Sequence, residues 1–277
     1  MTDSQSAPQR STSELLELLT ERDLLILKDL EQFRLLTTRQ VQRLRFTRHT
    51  SISSATRTTV RVLDRIENHG LITRLPRRIG GAVRGSAANI WQLTSTGERL
   101  LRRLSGAENR RRYVEPSAQF TAHTLAIADT AIDVIEAAEN GQLELLELQT
   151  EPDCWRTFTG KAGQPLWLRP DLYLVTADRD YESHWFIEID RGTEHLPAVL
   201  RKCETYHRYW QTGTEQATHD IFPAVLWIVP DDHRATKIRD GIRDHPTLPA
   251  ELFQVTTTEG AMHVIALESN PTKGGTP

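Results

Sequence analysis

The sequence predicts a two-domain protein of class α+β or α/β. A helical module spans residues 20–104, a linker 105–117 and a mixed-sheet domain 118–268, with disordered tails at 1–19 and 269–277. Three observations carry this. The chain has 277 residues, 38% of them apolar, enough for two separate cores. Apolar residues recur at helical spacing in the first part; in the second they gather in short runs of strand length. The charge also changes sign along the chain. Residues 1–115 hold 21 Lys+Arg against 12 Asp+Glu, or +9, whereas residues 116–277 hold 13 against 25, or −12, which sums to the net charge of −3.

Several classes are set aside at once. Two cysteines, Cys154 and Cys203, give no disulfide framework and no zinc ribbon, so a reducing compartment is expected. Met1 to Ser13 is polar, without the apolar stretch of a secretory signal. The longest apolar run, Ala224 to Val229, is too short to cross a bilayer, and a cytoplasmic protein without membrane contact is expected. Arg outnumbers Lys 29 to 5, a bias that base composition alone can produce, so the segregation of sign is the firmer signal.

Glu21 to Phe33 has the spacing of an amphipathic helix, with Leu24, Leu27, Leu30 and Phe33 on one side. Thr37 or Thr38 can cap a second helix carrying Val41, Leu44 and Phe46. Ser53 or Ser54 can start a third, with Val60, Leu63 and Ile66 facing inward and His69-Gly70 closing it. Arg57, Arg61 and Arg65 recur every four residues on its other side, one exposed basic row. Leu71 to Leu75 reads as a strand, and Pro76 to Asn89 as a loop carrying Arg77, Arg78 and Arg84. Ile90 to Leu93 reads as the returning strand, and Ser95 to Glu98 as the capping box of a last helix through Leu104. This is the element order of a winged helix-turn-helix. Asn68 to Ile72 and Trp91 to Gly97 resemble the matching places in bacterial members of that fold. Such a module sets its third helix in the major groove and its loop on the adjacent backbone, so double-stranded DNA is the expected partner. Arg57 and Arg61 are the first candidates for contact, and phosphate is the safer target than a base. The linker triplet Arg110-Arg111-Arg112 can touch DNA or simply stay solvated.

The acidic half opens with a helix over Ala118 to Asn140, ended by Gly141, and a strand at Leu143 to Leu148. A loop with Trp155 and Arg156 follows, then strands at Asp171 to Val175 and Trp185 to Asp190. A helix spans Leu196 to Trp210, a strand buried on both faces Phe222 to Val229, and a helix His233 to His245. Leu252 to Thr257 with His263 to Leu267 is expected to close the domain as a hairpin. Residues two apart on a strand share a face, so Glu188 and Asp190 project together, with Asp171 beside them on the neighbouring strand. Three acids over an apolar sheet repel one another unless a cation relieves them, which suggests a divalent-metal site or its remnant.

Helix, three strands, helix, strand is the core order of the PD-(D/E)XK nucleases, and Pro170-Asp171 with Glu188-Ile189-Asp190 resembles their motif. The resemblance implies Mg²⁺ held by Asp171 and Glu188, with Asp190 as a further ligand, activating water against a phosphodiester. The lysine usual two residues after the second acid is here Asp190. Either Lys202, on the following helix beside Tyr206 and Tyr209, supplies the catalytic ammonium, or the chain keeps the fold for binding alone. Asp129 or Asp133 on the first helix can add an acid, and Arg156, near Glu151 and Trp155, can reach a phosphate. His123 near that helix's start can be structural. The ten histidines show no zinc spacing, and no glycine-rich phosphate loop occurs.

Taken together, Leu63 to Ile72, His123, Arg169-Pro170-Asp171, Phe186 to Glu194, Lys202 and Tyr206 to Tyr209 resemble the replication-relaxation family of plasmids and mobile elements. The resemblance implies DNA binding in plasmid replication or relaxation, with a divergent Mg²⁺-dependent nicking domain, active or not. A second copy of the chain, or a replication or mobilisation protein, is the further partner expected. The alternative is a non-catalytic transcription or replication regulator whose acidic domain binds a partner protein.

Overall fold

A computed structural model describes residues 12–47, 51–75, 89–106, 117–177 and 181–268. Arg77, Arg78 and Arg84 of the basic loop and the triplet Arg110 to Arg112 lie outside the described residues. The chain divides into two compact units, residues 1–128 and 129–277. The division falls inside a helix, eleven residues beyond the end of the expected linker at 117 (128 − 117 = 11).

In the first unit α1 (Thr12–Glu17) occupies part of the stretch expected to be a disordered tail, and it buries Leu15. Next come α2 (Glu21–Phe33), β1 (Leu36–Thr37), α3 (Thr38–Arg45) and α4 (Ile52–Asn68), then β2 (Ile72–Arg74), β3 (Ile90–Leu93) and α5 (Ser95–Ser105). Side-chain caps fix the helix starts. Thr20 and Thr37 each make a capping box, with Asp23 and Gln40 as reciprocal partners. Ser51, rather than Ser53 or Ser54, caps α4, and Thr94, rather than Ser95, caps α5. The three strands form an antiparallel sheet in the order β1-β3-β2. Ile26, Leu27, Leu30, Leu63, Ile66 and Trp91 are its fully buried centre. Gly97 lets α5 lie against the backbone just before β2, since a Cβ there would stand 2.1 Å from the Leu71 carbonyl oxygen.

α6 (Ala118–Glu139) crosses the division, and Gly141 follows it at positive φ. The second unit then runs through β4 (Glu144–Thr150), β5 (Arg156–Thr159), β6 (Pro165–Leu168), β7 (Leu172–Ala177), β8 (Glu182–Ile189), α7 (Leu196–Trp210), α8 (Thr214–His219), β9 (Ala224–Val229), α9 (Asp232–Arg243), β10 (Phe253–Thr257) and α10 (Ala261–Glu268). Five strands make one mixed sheet, ordered β10-β9-β8-β7-β4. β4, β7 and β8 are antiparallel neighbours, whereas β8, β9 and β10 run parallel. The parallel half needs crossovers, and α7 with α8, then α9, supply them. Tyr173, Val175, Phe186, Val225, Trp227 and Val229 form one face and pack with Val199, Cys203 and Tyr206 of α7 and Ile238 of α9. The opposite-parity residues Leu172, Leu174, Trp185, Ile187, Leu226 and Ile228 are buried as well.

Two expectations about strands need correction. Residues 263–267 belong to α10, not to a closing hairpin: Ala261 and Ile265, four apart, are its buried pair, and β10 instead pairs parallel with β9. The loop after β4 holds a separate hairpin, β5 with β6. No helix among the described residues is long and apolar enough to cross a membrane.

Candidate functional site

The arginine row of α4 is not uniform. Arg57, Arg61 and Arg65 are all exposed along the helix. Yet the Arg65 guanidinium bonds both carboxylate oxygens of Asp23, which is fully buried on α2 and also accepts from the amide of the cap residue Thr20. Arg45 is likewise held by Asp29 of α2, and Arg74 by Asp64 and Glu67. Burial raises the pKa of Asp29, against the hydrogen bond and charge of Arg45. Arg57 and Arg61 differ: among the described residues neither is paired to a carboxylate, and Arg57 makes only a 3.3 Å bond to the Ser53 carbonyl. Spacing alone could not separate these roles, because the acids that neutralise Arg45 and Arg65 lie on another helix.

Removal of the Arg65 head leaves Asp23 buried without its cation. Because Arg65 is 44% exposed, solvent screens the pair and its loss costs less than that of a buried pair, about 1–3 kcal/mol. Arg65→Ala is therefore expected to lower the denaturation midpoint of the protein, measured by urea unfolding, whereas Arg61→Ala leaves it in place.

In the second unit the register pairs Leu172 with Ile187, which sets Asp171 directly opposite Glu188 across β7 and β8, on the face covered by α7. Asp171 is buried and accepts from the Ile189 amide at 2.7 Å through Oδ2. Glu188 is 1% exposed, accepting from the Tyr206 hydroxyl at 2.5 Å and from the Lys202 ammonium. One helical turn separates Lys202 from Tyr206, so both reach the same carboxylate. Burial pushes the Glu188 pKa up to about 8; the Lys202 charge opposes this and the Asp171 charge adds to it. Burial also works against the Lys202 ammonium, but the charges of Glu188 and Asp171 outweigh it and raise its pKa.

Asp190 follows β8 and leaves this pair. Arg234, in the first turn of α9, bonds Asp190 Oδ2 and the Glu194 carbonyl, while the Gly192 amide donates to Oδ1. At least five of the six carboxylate oxygens of Asp171, Glu188 and Asp190 thus have internal donors. Among the described residues no group of three or more His, Cys, Asp or Glu side chains is arranged to hold a metal ion. Of the three acids expected around one ion, Glu188 is held by a lysine–tyrosine clamp, Asp190 by an arginine and Asp171 by a backbone amide. As they stand they do not fit a divalent cation. Arg234 escaped the sequence reading, although a signal existed. β8 and β9 are parallel, so their C-terminal ends lie together and the first turn of the helix after β9 reaches the residue after β8.

The remaining candidates scatter. Arg156 binds buried Glu215 at 2.9 Å and Gln149 at 3.3 Å, with its guanidinium 4.8 Å over the Tyr173 ring. Tyr209, read as a neighbour of Lys202, donates to that same Glu215. Trp155 stacks elsewhere, 6.3 Å from Trp167. Asp129 is exposed and Asp133 half-buried along α6, His123 is half-buried on the same helix, and Glu151 lies half-buried after β4.

Comparison with known proteins gives one finding. The family model described as Replication-relaxation matches residues 27–225. No curated protein matches the chain, and no solved structure does.

Proposed function

Since the chain belongs to the Replication-relaxation family, we propose that it is a DNA-binding protein acting in replication or relaxation of plasmids or mobile elements. Its first unit is read as a winged helix-turn-helix that docks on duplex DNA through α4. The observation that carries this is the pair Arg57 and Arg61: exposed, one turn apart and without a carboxylate partner among the described residues, while Arg45, Arg65 and Arg74 are neutralised from within. Two cations projecting from one helix face meet successive phosphates, or a phosphate and a base edge, of a groove wide enough to admit a helix.

The second unit is read as a divergent relative of the PD-(D/E)XK core that keeps the sheet but not the chemistry. The Lys202 ammonium supplies the positive charge that Glu188 needs, and Arg234 supplies that of Asp190, so no cation is required to relieve the acids. Incubation of supercoiled plasmid with the protein and Mg²⁺ tests this. We expect the plasmid to stay supercoiled and the melting temperature to be unmoved by Mg²⁺. Nicking that requires Mg²⁺ and disappears in Asp171→Ala would overturn the non-cleaving part of the reading and leave the DNA-docking part standing.

A further inference from the structure

The second unit carries a patch of opposite character to the rest of its sequence. Between Asp153 and Asp171 there is no acidic residue, yet Arg156, Lys161 and Arg169 fall in that interval, in a half of the chain that holds 13 basic residues against 25 acidic ones. The interval is the β5–β6 hairpin. Its strands pair Thr157 with Trp167 and Phe158 with Leu166. Phe158 and Leu168 turn inward to the core of the unit, whereas Thr157, Thr159, Pro165 and Trp167 are exposed. A tryptophan on the outer side of a two-stranded hairpin exposes apolar surface that burial would otherwise stabilise, and Trp167 is 51% exposed.

A single exposed aromatic is ordinary on protein surfaces. This one is not isolated. The Arg169 guanidinium lies 4.8 Å over the Trp155 ring and 5.7 Å from the centre of the Trp167 ring, and the two indoles meet edge-on at 81°. Contact with both rings holds the guanidinium beside the exposed Trp167 indole, where its N–H groups can meet an anion. Arg169 has no carboxylate partner among the described residues, in contrast to Arg156, which Glu215 holds. An apolar ring beside an unneutralised cation matches a base and its phosphate, taken together. In a duplex the base faces are hidden by stacking, so the matching form is an unpaired strand.

We propose that the Trp155–Trp167–Arg169 stack of the β5–β6 hairpin is a contact site for single-stranded DNA, with a base on Trp167 and a phosphate on Arg169. The site rests on the reading of the chain as a DNA-acting protein, but it uses a surface distinct from α4. An unpaired strand arises whenever a duplex is opened, which replication and relaxation both entail.

Fluorescence anisotropy of the full chain with a labelled oligothymidylate of about 20 nucleotides tests the site. Trp167→Ala is expected to weaken single-strand binding about tenfold, and Arg169→Ala by a similar factor, with duplex affinity unchanged in both. Trp167→Phe keeps a stacking face and retains most of the affinity, which separates stacking from mere loss of side-chain volume. The proposal is overturned if Trp167→Ala binds the oligothymidylate as tightly as wild type, if wild type does not bind it, or if Trp167→Ala loses duplex and single strand alike. Loss of duplex binding in an Arg57/Arg61 variant that still holds the oligothymidylate leaves this site intact and locates duplex docking on α4.

Discussion

Lys202→Met is expected to destabilise the second unit by about 3–5 kcal/mol well above pH 8, where Glu188 ionises beside the lysine, because it strands a buried carboxylate. The sign follows from Glu188. Its folded pKa is raised to about 8 from an ordinary 4.5, chiefly by burial, even with the lysine in place. A group whose pKa rises on folding contributes stability that is fully present below its unfolded pKa and is lost as pH climbs through the folded one. Without Lys202 the opposing charge is gone and the folded pKa moves higher still. The deficit should therefore shrink as pH falls through 8, below which folded Glu188 is protonated with or without the lysine. Urea unfolding across this range measures it. Adding Glu188→Gln to the Lys202→Met chain should recover most of the loss above pH 8, since a neutral amide still accepts from Tyr206. A deficit that stays constant with pH would show that the clamp is not electrostatic.

Arg57→Ala combined with Arg61→Ala is expected to weaken duplex binding by one to two orders of magnitude, on the basis that each charge-assisted phosphate bond contributes about 1.5–3 kcal/mol less competition from solvent. Fluorescence anisotropy with a labelled duplex at fixed salt measures this. Arg65→Ala should reduce affinity less than either single change, because its guanidinium is already committed to Asp23, and it should show itself in stability instead. If Arg65→Ala weakens binding as much as Arg57→Ala, the row acts as one surface and the division between docking and structural arginines fails.

Much of the secondary structure was legible because period and cap agree. The run Glu21 to Phe33, the strand Ile90 to Leu93 and the helix Leu196 to Trp210 fall where apolar spacing puts them. Where they disagree the reading slips. Residues 263–267 read as the second strand of a hairpin, but the burial of Ala261 and Ile265 has helical spacing. The hairpin Arg156 to Leu168 was hidden by its short strands, although Gly160 and Gly163 mark its turn.

The candidate site was legible by face and not by partner. Strand alternation and register explain why Asp171 and Glu188 share the side covered by α7, and helical spacing explains why Lys202 and Tyr206 arrive together. What no local pattern encodes is which cation reaches which acid. Arg234 lies 44 residues beyond Asp190 and Arg65 lies 42 beyond Asp23, so both pairings depend on how helices pack. For the same reason the pairing of Lys202 with Glu188 and of Arg234 with Asp190 could not be read from spacing.

The most direct test of the account is the salt dependence of duplex affinity for the full chain. Each phosphate neutralised by an arginine releases counterions, so log affinity should fall against log salt with a slope of about −0.9 per contact. Arg57 and Arg61 alone predict a slope of about −2 or steeper, flattened by about that amount in the double alanine variant. A wild-type slope near zero would contradict the claim that the face of α4 meets the DNA backbone.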